Sequence, residues 1–481
     1  MTKQNEKTIA VIGGGISGLA AAYRLIKIGS ENDTHAIKVI LLEAGPKLGG
    51  VLQTESIDGY LIEQSADMFT TDPPFAMELC RELGKSDELL ETIPTPDRAY
   101  VATPDSMHPV PRGFSLMAPG NIDAVLESSL LTDEDKKRFL EEAQIPAAVQ
   151  PIAKDESLES FAVRRFGQAM FDKLIQPLAS GIYTADPAKL SMNATMKRFI
   201  DMERKHGSLT KAVAAASTQT DRQASGARYS LFRSPKMGVG KLVDWIVDYL
   251  DQNESFEVRK SCSANSISKT ESGWTIEIDS GTSILADGIV VATPAKPASA
   301  LVSNIDSELA AQLAQIETAS SAIVILGVDE SQIKNRFDGY GIITPSILNR
   351  KTIAISFSSN KFSGRTPDGK ILIRCFIGGA LQSELVDLSD EELIDIGINE
   401  LDQTVGFSGQ PELTKVVRWK NCMPQYHLGH LDRVEQIEKR VAQLSCFELA
   451  GNSYRGVGIP ACVESGFKAA NRCASELFRD S

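Results

Sequence analysis

The chain has 481 residues, 42% hydrophobic and 23% charged, which is enough apolar sequence for a large core and enough length for two or three domains. Its 63 acidic and 50 basic residues leave a formal net charge of −13, which argues against nucleic acid or an anionic membrane as the main partner. Seven cysteines at scattered spacing, none in a C-x-x-C pair, read as reduced thiols and offer no disulfide framework or metal site. Residues 1–7 lack an apolar leader and no apolar run reaches about eighteen residues, so the expected location is the cytoplasm.

The pattern predicts a strand over residues 8–12, a glycine turn at Gly13, Gly14, Gly15 and Gly18, and a helix with apolar positions Leu19, Ala22, Tyr23, Leu25 and Ile26. A second strand over residues 39–42 ends on Glu43, with residues 29–36 expected as a solvent loop before it. This is a complete dinucleotide-binding unit. Gly13 permits the tight turn, Gly15 lets backbone approach a pyrophosphate at the positive helix end, and Gly18 lets the helix pack close on the strand. Glu43 can accept hydrogen bonds from an unphosphorylated ribose, which disfavours NADP. Gly14, Ser17 and Ala44 complete the main chain expected against the cofactor. Just beyond, Gly49 and Gly50 offer a second stretch of bare backbone, which an NAD dehydrogenase does not need and FAD would use.

From about residue 121 to 176 the chain is rich in helix formers, notably at 133–142 and 160–166, and reads as a helical insertion. The polar stretch 217–227 is expected to be a mobile loop. Strands return at 256–258 and 274–278, and residues 288–294 read as a buried parallel strand rejoining the first unit. A β-rich region follows at 322–328, 352–357 and 371–377, expected to form the sheet that covers a substrate. Residues 447–452 read as a short strand running into a turn. Gly456 to Pro460 then opens a last helix near Ala461, whose N–H groups suit a pyrophosphate or the electron-rich edge of a reduced flavin, unless this is an ordinary Gly-Pro helix start.

These motifs, with residues 59–67 (GYLIEQSAD), 178–192 (LASGIYTADPAKLSM), Arg418-Trp419, 423–426 (MPQY), 429–431 (GHL) and 450–460 (AGNSYRGVGIP), make the chain resemble the flavin-dependent amine-oxidase superfamily. Within it the chain is similar to the oxygen-dependent porphyrinogen oxidases of haem biosynthesis, over most of its length. The resemblance implies an α/β fold: a discontinuous, Rossmann-like FAD-binding domain at 1–98, 210–300 and 440–481, a helical insertion at 99–188, and a β-rich substrate-binding domain at 189–209 and 301–439. It implies three two-electron oxidations of a porphyrinogen through FAD, with O2 as acceptor and H2O2 released.

It also assigns residues. The main chain of Val258 would meet the adenine, and Gly451, Val457, Gly458 and Ile459 the flavin end. Gly181, expected in a turn, would orient pyrrole N–H groups through its carbonyl. Arg112 would meet a propionate, with His108 as rival. His427 and His430 are expected to be structural, and Tyr426 and Trp419 to be packing residues. An amine oxidase or carotenoid desaturase would share both flavin motifs, and a binding protein of the GDP-dissociation-inhibitor type would share the architecture without redox chemistry. The choice between protoporphyrinogen IX and coproporphyrinogen III stays open, as do oligomeric state, peripheral membrane attachment and contact with a neighbouring enzyme of the pathway.

Overall fold

A computed structural model describes residues 6–31, 36–95, 99–148, 155–217, 231–271, 273–335 and 337–479. Five apolar segments form one sheet: β1 (Glu6–Ile12), β2 (Ala36–Leu42), β3 (Phe256–Arg259), β4 (Gly288–Val291) and β5 (Phe447–Leu449). They lie in the order β3-β2-β1-β4-β5 with every pair parallel. Such strands are near-continuous apolar runs because both faces are covered. Ile9, Val11, Val39, Leu41 and Val290 pack under the helices α1 (Ile16–Glu31) and α2 (Ile459–Leu477), while Ala10, Ile12, Ile40, Ile289 and Val291 face Trp274, Leu301 and Val434 on the other side. The two helices are in close contact, since a Cβ added to Gly466 of α2 would lie 2.2 Å from the Ser17 carbonyl oxygen.

The apolar positions expected in α1 are all buried. The expected loop at 29–36 is shorter at its start, because Gly29 to Glu31 are the last helical turn, where Gly29 packs on Ile37. Residues 32–35 lie outside the described residues.

The second sheet has seven strands in the order Leu413–Pro424, Thr318–Asp329, Lys370–Gly378, Thr352–Phe357, Gly341–Ile343, Ala99–Ala102 and Met107–Pro109. Val324, Cys375 and Ile377 on one face pack against Leu393 and Leu401 of the helix Asp390–Val405. Two boundaries differ from the expectation. Ala99–Ala102 and Met107–Pro109, assigned to the helical insertion, are the edge of this sheet, because Tyr100 pairs in parallel with Ile342. The helical unit also runs on past residue 188 to the helix Leu209–Ser217, since Leu190, Met192, Phe199 and Leu209 share one core with Phe139, Phe161, Phe166 and Leu174. Of the loop expected at 217–227, Ser217 ends that helix and 218–227 lie outside the described residues.

A buried ion network holds the helical unit together. The fully buried Arg165 donates from Nε to Glu142 Oε1 at 2.8 Å and from Nη1 to Glu203 Oε1 at 3.2 Å. Glu142 in turn accepts from the main-chain N–H groups of Leu209 at 2.9 Å and Thr210 at 3.0 Å and from the Ser208 hydroxyl at 2.7 Å. Burial would raise the Glu142 carboxyl; the bonds from Thr210, Arg165 and Ser208 outweigh it and hold the carboxyl below its ordinary value. Among the described residues, no helix is long and apolar enough to cross a membrane.

Candidate active site

The first glycine turn joins β1 to α1. The Gly13 N–H donates to the Leu42 carbonyl at 2.8 Å, and its φ of +109° leaves no room for a side chain: a Cβ there would lie 2.8 Å from the Ala292 carbonyl oxygen. A Cβ on Gly18 would lie 1.9 Å from the Gly13 oxygen, so helix and turn are in contact. A Cβ on Gly15 would meet nothing within 4 Å. That open space sits over the first turn of α1, whose N–H groups have no intrahelical acceptor and carry the positive end of the helix dipole.

The second glycine motif lies directly on the first. The Gly49 N–H donates to the Gly14 carbonyl at 2.8 Å, Gly15 and Gly49 form a parallel bridge, and a Cβ on Gly50 would stand 3.4 Å from Gly15 Cα. Glu43 closes the same corner: its carboxylate accepts from the Gly14 N–H at 2.8 Å and the Gly45 N–H at 2.7 Å, with the exposed Ala44 between. Each oxygen has one lone pair engaged by main chain and another for a ribose hydroxyl. Beside it, Ser255 and Arg259 direct their carbonyls to β2 at 2.8 and 2.9 Å, so alternation turns the N–H and C=O of Val258 to the open edge of the sheet.

The last segment approaches the same place from β5. Gly451, at φ +132°, donates to Ser465 Oγ at 3.0 Å, and a Cβ there would have its nearest neighbour 4.0 Å away. Gly458 caps α2, with Ile459 buried behind it and Val457 half-buried before it. Tyr426 and His430 organise the intervening loop. The Tyr426 hydroxyl accepts from the Gly456 N–H at 2.8 Å and donates to the Asn452 carbonyl at 2.5 Å, while His430 Nε2 reaches the Tyr454 carbonyl at 2.8 Å. Their rings stack 4.0 Å apart. Tyr426, expected to be a packing residue, is buried in the core of the helical unit and ties down this loop through its hydroxyl as well.

Burial holds the His430 imidazole at about 4, below its ordinary 6.5. The unfolded chain therefore takes up the proton first, so this contribution to stability is complete above pH 6.5 and is lost as the pH falls to about 4, roughly 3 kcal/mol in all. Thermal melting should show that acid slope in the wild type and a shallower one in His430→Gln.

Gly181 lies in the last turn of the helix Gln176–Tyr183, and not in a turn as expected, because this helix continues the helical run that begins at Gln168 and ends only at Thr184, at φ +47°. It is exposed, and a Cβ on it would lie 3.8 Å from Ile343 of the second sheet. Arg112 is exposed, between Val110 and Phe114, which pack into the same core as Tyr183, Ile343 and Val457. His108 is on the edge strand with Nδ1 2.8 Å from Ser129 Oγ and Nε2 3.1 Å from Ser106 Oγ, so both ring nitrogens are engaged. His427 lies 3.6 Å from Glu317. Among the described residues no group of three His, Cys, Asp or Glu side chains is placed to hold a metal.

The open spaces at Gly15 and Gly451, the carboxylate at Glu43 and the starts of α1 and α2 suit a dinucleotide laid across the carboxyl ends of the parallel strands. The sequence profile described as flavin containing amine oxidoreductase matches residues 16–474. The chain belongs to that family. It is 31% identical to the coproporphyrinogen III oxidase of Bacillus subtilis (strain 168), covering 98% of this chain and 99% of that one. It is 28% identical to the coproporphyrinogen III oxidase of Staphylococcus aureus (strain NCTC 8325 / PS 47), covering 98% and 100%. A crystal structure of a candidate protoporphyrinogen oxidase from Exiguobacterium sp. 255-15 superposes with a TM-score of 0.84 at 27% identity, over 97% of this chain and 98% of that one.

The flavin of this family is FAD, as the cradle for a full dinucleotide requires. Glu43→Gln should weaken FAD binding by about 1–3 kcal/mol, the range for a lost charge-assisted hydrogen bond, since the amide keeps one acceptor and turns its NH2 toward a main-chain donor. Flavin fluorescence titration measures this, and an unchanged dissociation constant would refute the role.

Proposed function

We propose that the protein is an FAD-dependent porphyrinogen oxidase that converts coproporphyrinogen III, ahead of protoporphyrinogen IX, to the porphyrin and passes the electrons to O2. The observation that carries this is the end-to-end similarity to the Bacillus coproporphyrinogen III oxidase, which includes the second sheet and the helical unit as well as the cofactor cradle. When bound, FAD supplies the hydride acceptor. The protein then has to hold the donor carbon against the ring and keep water out. In this reading the ring end lies between the cradle and the second sheet, with Gly181 at its side. The helix stops at Thr184, so the Gly181 carbonyl has no following turn to bond and is available to a pyrrole N–H.

The decisive experiment adds each porphyrinogen anaerobically to the yellow protein. Bleaching of the flavin, followed by porphyrin fluorescence when air is readmitted, is the expected result, faster with coproporphyrinogen III. Yellow protein that neither porphyrinogen bleaches would overturn the proposal, and bleaching by a primary amine in its place would favour an amine oxidase. Arg112, as a propionate anchor, would act equally on ground and transition states. Arg112→Ala should therefore raise KM with little change in kcat and leave FAD bound, whereas identical kinetics on both porphyrinogens would turn attention to His108.

A further inference from the structure

Five charged side chains that the reaction above does not use are buried together where the cradle meets the second sheet. Glu63, Asp67, Lys361, Arg365 and Arg374 are each 8% exposed or less. Asp67 is paired twice: Lys361 Nζ lies 2.9 Å and Arg374 Nη1 3.1 Å from its Oδ2. Arg374 also donates to the Ser65 carbonyl, and its guanidinium stands 5.1 Å from the Phe376 ring centre. Its Nε is buried with no hydrogen-bond partner. Arg365 spends its donors on neutral groups, the Lys236 and Pro235 carbonyls at 3.0 and 3.1 Å and Ser234 Oγ at 2.8 Å. Glu63 accepts from the Val239 N–H at 2.9 Å and the Thr54 hydroxyl at 2.6 Å.

Three cations thus face two carboxylates. Lys361 and Arg374 outweigh the effect of burial on Asp67 and hold it at about 2, firmly ionised, whereas burial pushes the Glu63 carboxyl up. The cluster carries at least one uncompensated positive charge, and a buried unpaired charge is costly unless an anion is brought to it. Its position indicates which anion. The Ser65 hydroxyl donates to the Val51 carbonyl at 2.5 Å and the Gln64 N–H to the Gln53 carbonyl at 2.9 Å, so the segment carrying Asp67 is tied to the chain that immediately follows the Gly49-Gly50 pair. Trp419 Nε1 meets the Gln64 carbonyl at 2.5 Å from the sheet side.

We propose that the Asp67–Lys361–Arg374 group is an electrostatic positioning device that places net positive charge beside the flavin ring and stabilises the ring when it carries the negative charge of its reduced form. The proposal rests on the assignment of FAD to the cradle and is independent of which substrate is oxidised. Charge near the ring is one of the means by which a protein tunes a flavin.

The probe is sulfite. Its sulfur lone pair forms a bond to flavin N5 and displaces a ring electron pair toward N1 and the C2 carbonyl; no proton or oxidant is consumed, and the adduct carries the negative charge in question. Arg374→Gln should bind sulfite about tenfold more weakly and lower the two-electron potential by ~30 mV, which is the same factor expressed as a potential. Asp67→Asn combined with Arg374→Gln restores the net charge and should recover most of both values, which a merely structural role would not do. Should Arg374→Gln lose its flavin, Lys361→Gln removes the same unit of charge and should show the same two shifts. Wild-type sulfite affinity and potential in the single-charge variant that retains flavin would overturn the proposal. So would a raised KM for porphyrinogen with both values unchanged, which would make Arg374 a substrate anchor. Colourless wild-type protein would instead refute the FAD assignment.

Discussion

Gly15→Val should yield folded but colourless protein. The Cβ it adds meets no protein atom within 4 Å, and Gly15 is not among the residues at positive φ, so the chain itself tolerates the side chain. The space it fills is the one assigned to the pyrophosphate, over the N–H groups of the first turn of α1. Overlap there should cost about 2–3 kcal/mol or more, roughly a hundredfold in FAD affinity. Gly18→Val provides the contrast. Its Cβ would lie 1.9 Å from the Gly13 oxygen, so that variant should fail to fold. The visible flavin spectrum with far-UV circular dichroism separates the two outcomes, and a yellow Gly15→Val protein with full flavin content would remove the pyrophosphate from this turn.

Glu142→Ala should destabilise the protein by about 3–5 kcal/mol, the range for removing one partner of a buried ion pair. Arg165 would keep Glu203 but lose the carboxylate that its Nε faces, and the N–H groups of Leu209 and Thr210 would lose their acceptor in a dry environment. The paired replacement Glu142→Leu with Arg165→Met should cost less than the single change, because no buried cation is left without Glu142 and Glu203 keeps its pair with Arg164 at 2.6 Å. Urea denaturation of the FAD-loaded protein measures both. A loss below about 1 kcal/mol in Glu142→Ala would mean that water reaches the network.

The features legible in the sequence were those encoded over a few dozen residues. Gly13, Gly15, Gly18 and Glu43 belong to one strand-turn-helix-strand unit, and the structure brings them into one corner because that unit folds on itself. The strands around 322–328, 352–357 and 371–377 were visible because their apolar residues are dense and β-branched. Ala99–Ala102 was not, because what makes it a strand is Gly341–Ile343, far along the chain. Gly181 lies in a helix although Ser180 and Gly181 suggest a turn, because the helical run from Gln168 continues through it and buries Ala179 and Ser180. The Tyr426–His430 clamp and the five-charge cluster depend on side chains meeting main chain or partners from remote segments, which no local pattern encodes.

The order of the strands sets a timetable for the molecule in the cell. β1 and its neighbour β2 both lie within the first 42 residues, yet the other neighbour of β1, β4, begins only at Gly288. At 5–20 residues per second, the bare edge of β1 waits roughly 15–55 s on the ribosome, long enough for a nascent strand to seek a foreign partner. β5 and α2 come later still, and Gly466 must reach Ser17 before the two helix starts face one another. FAD can therefore be locked in only after nearly the whole chain has been synthesised. A chaperone that shields the β1 edge should therefore raise the yield of active protein more than added riboflavin does, and slower translation, which lengthens the wait, should lower it.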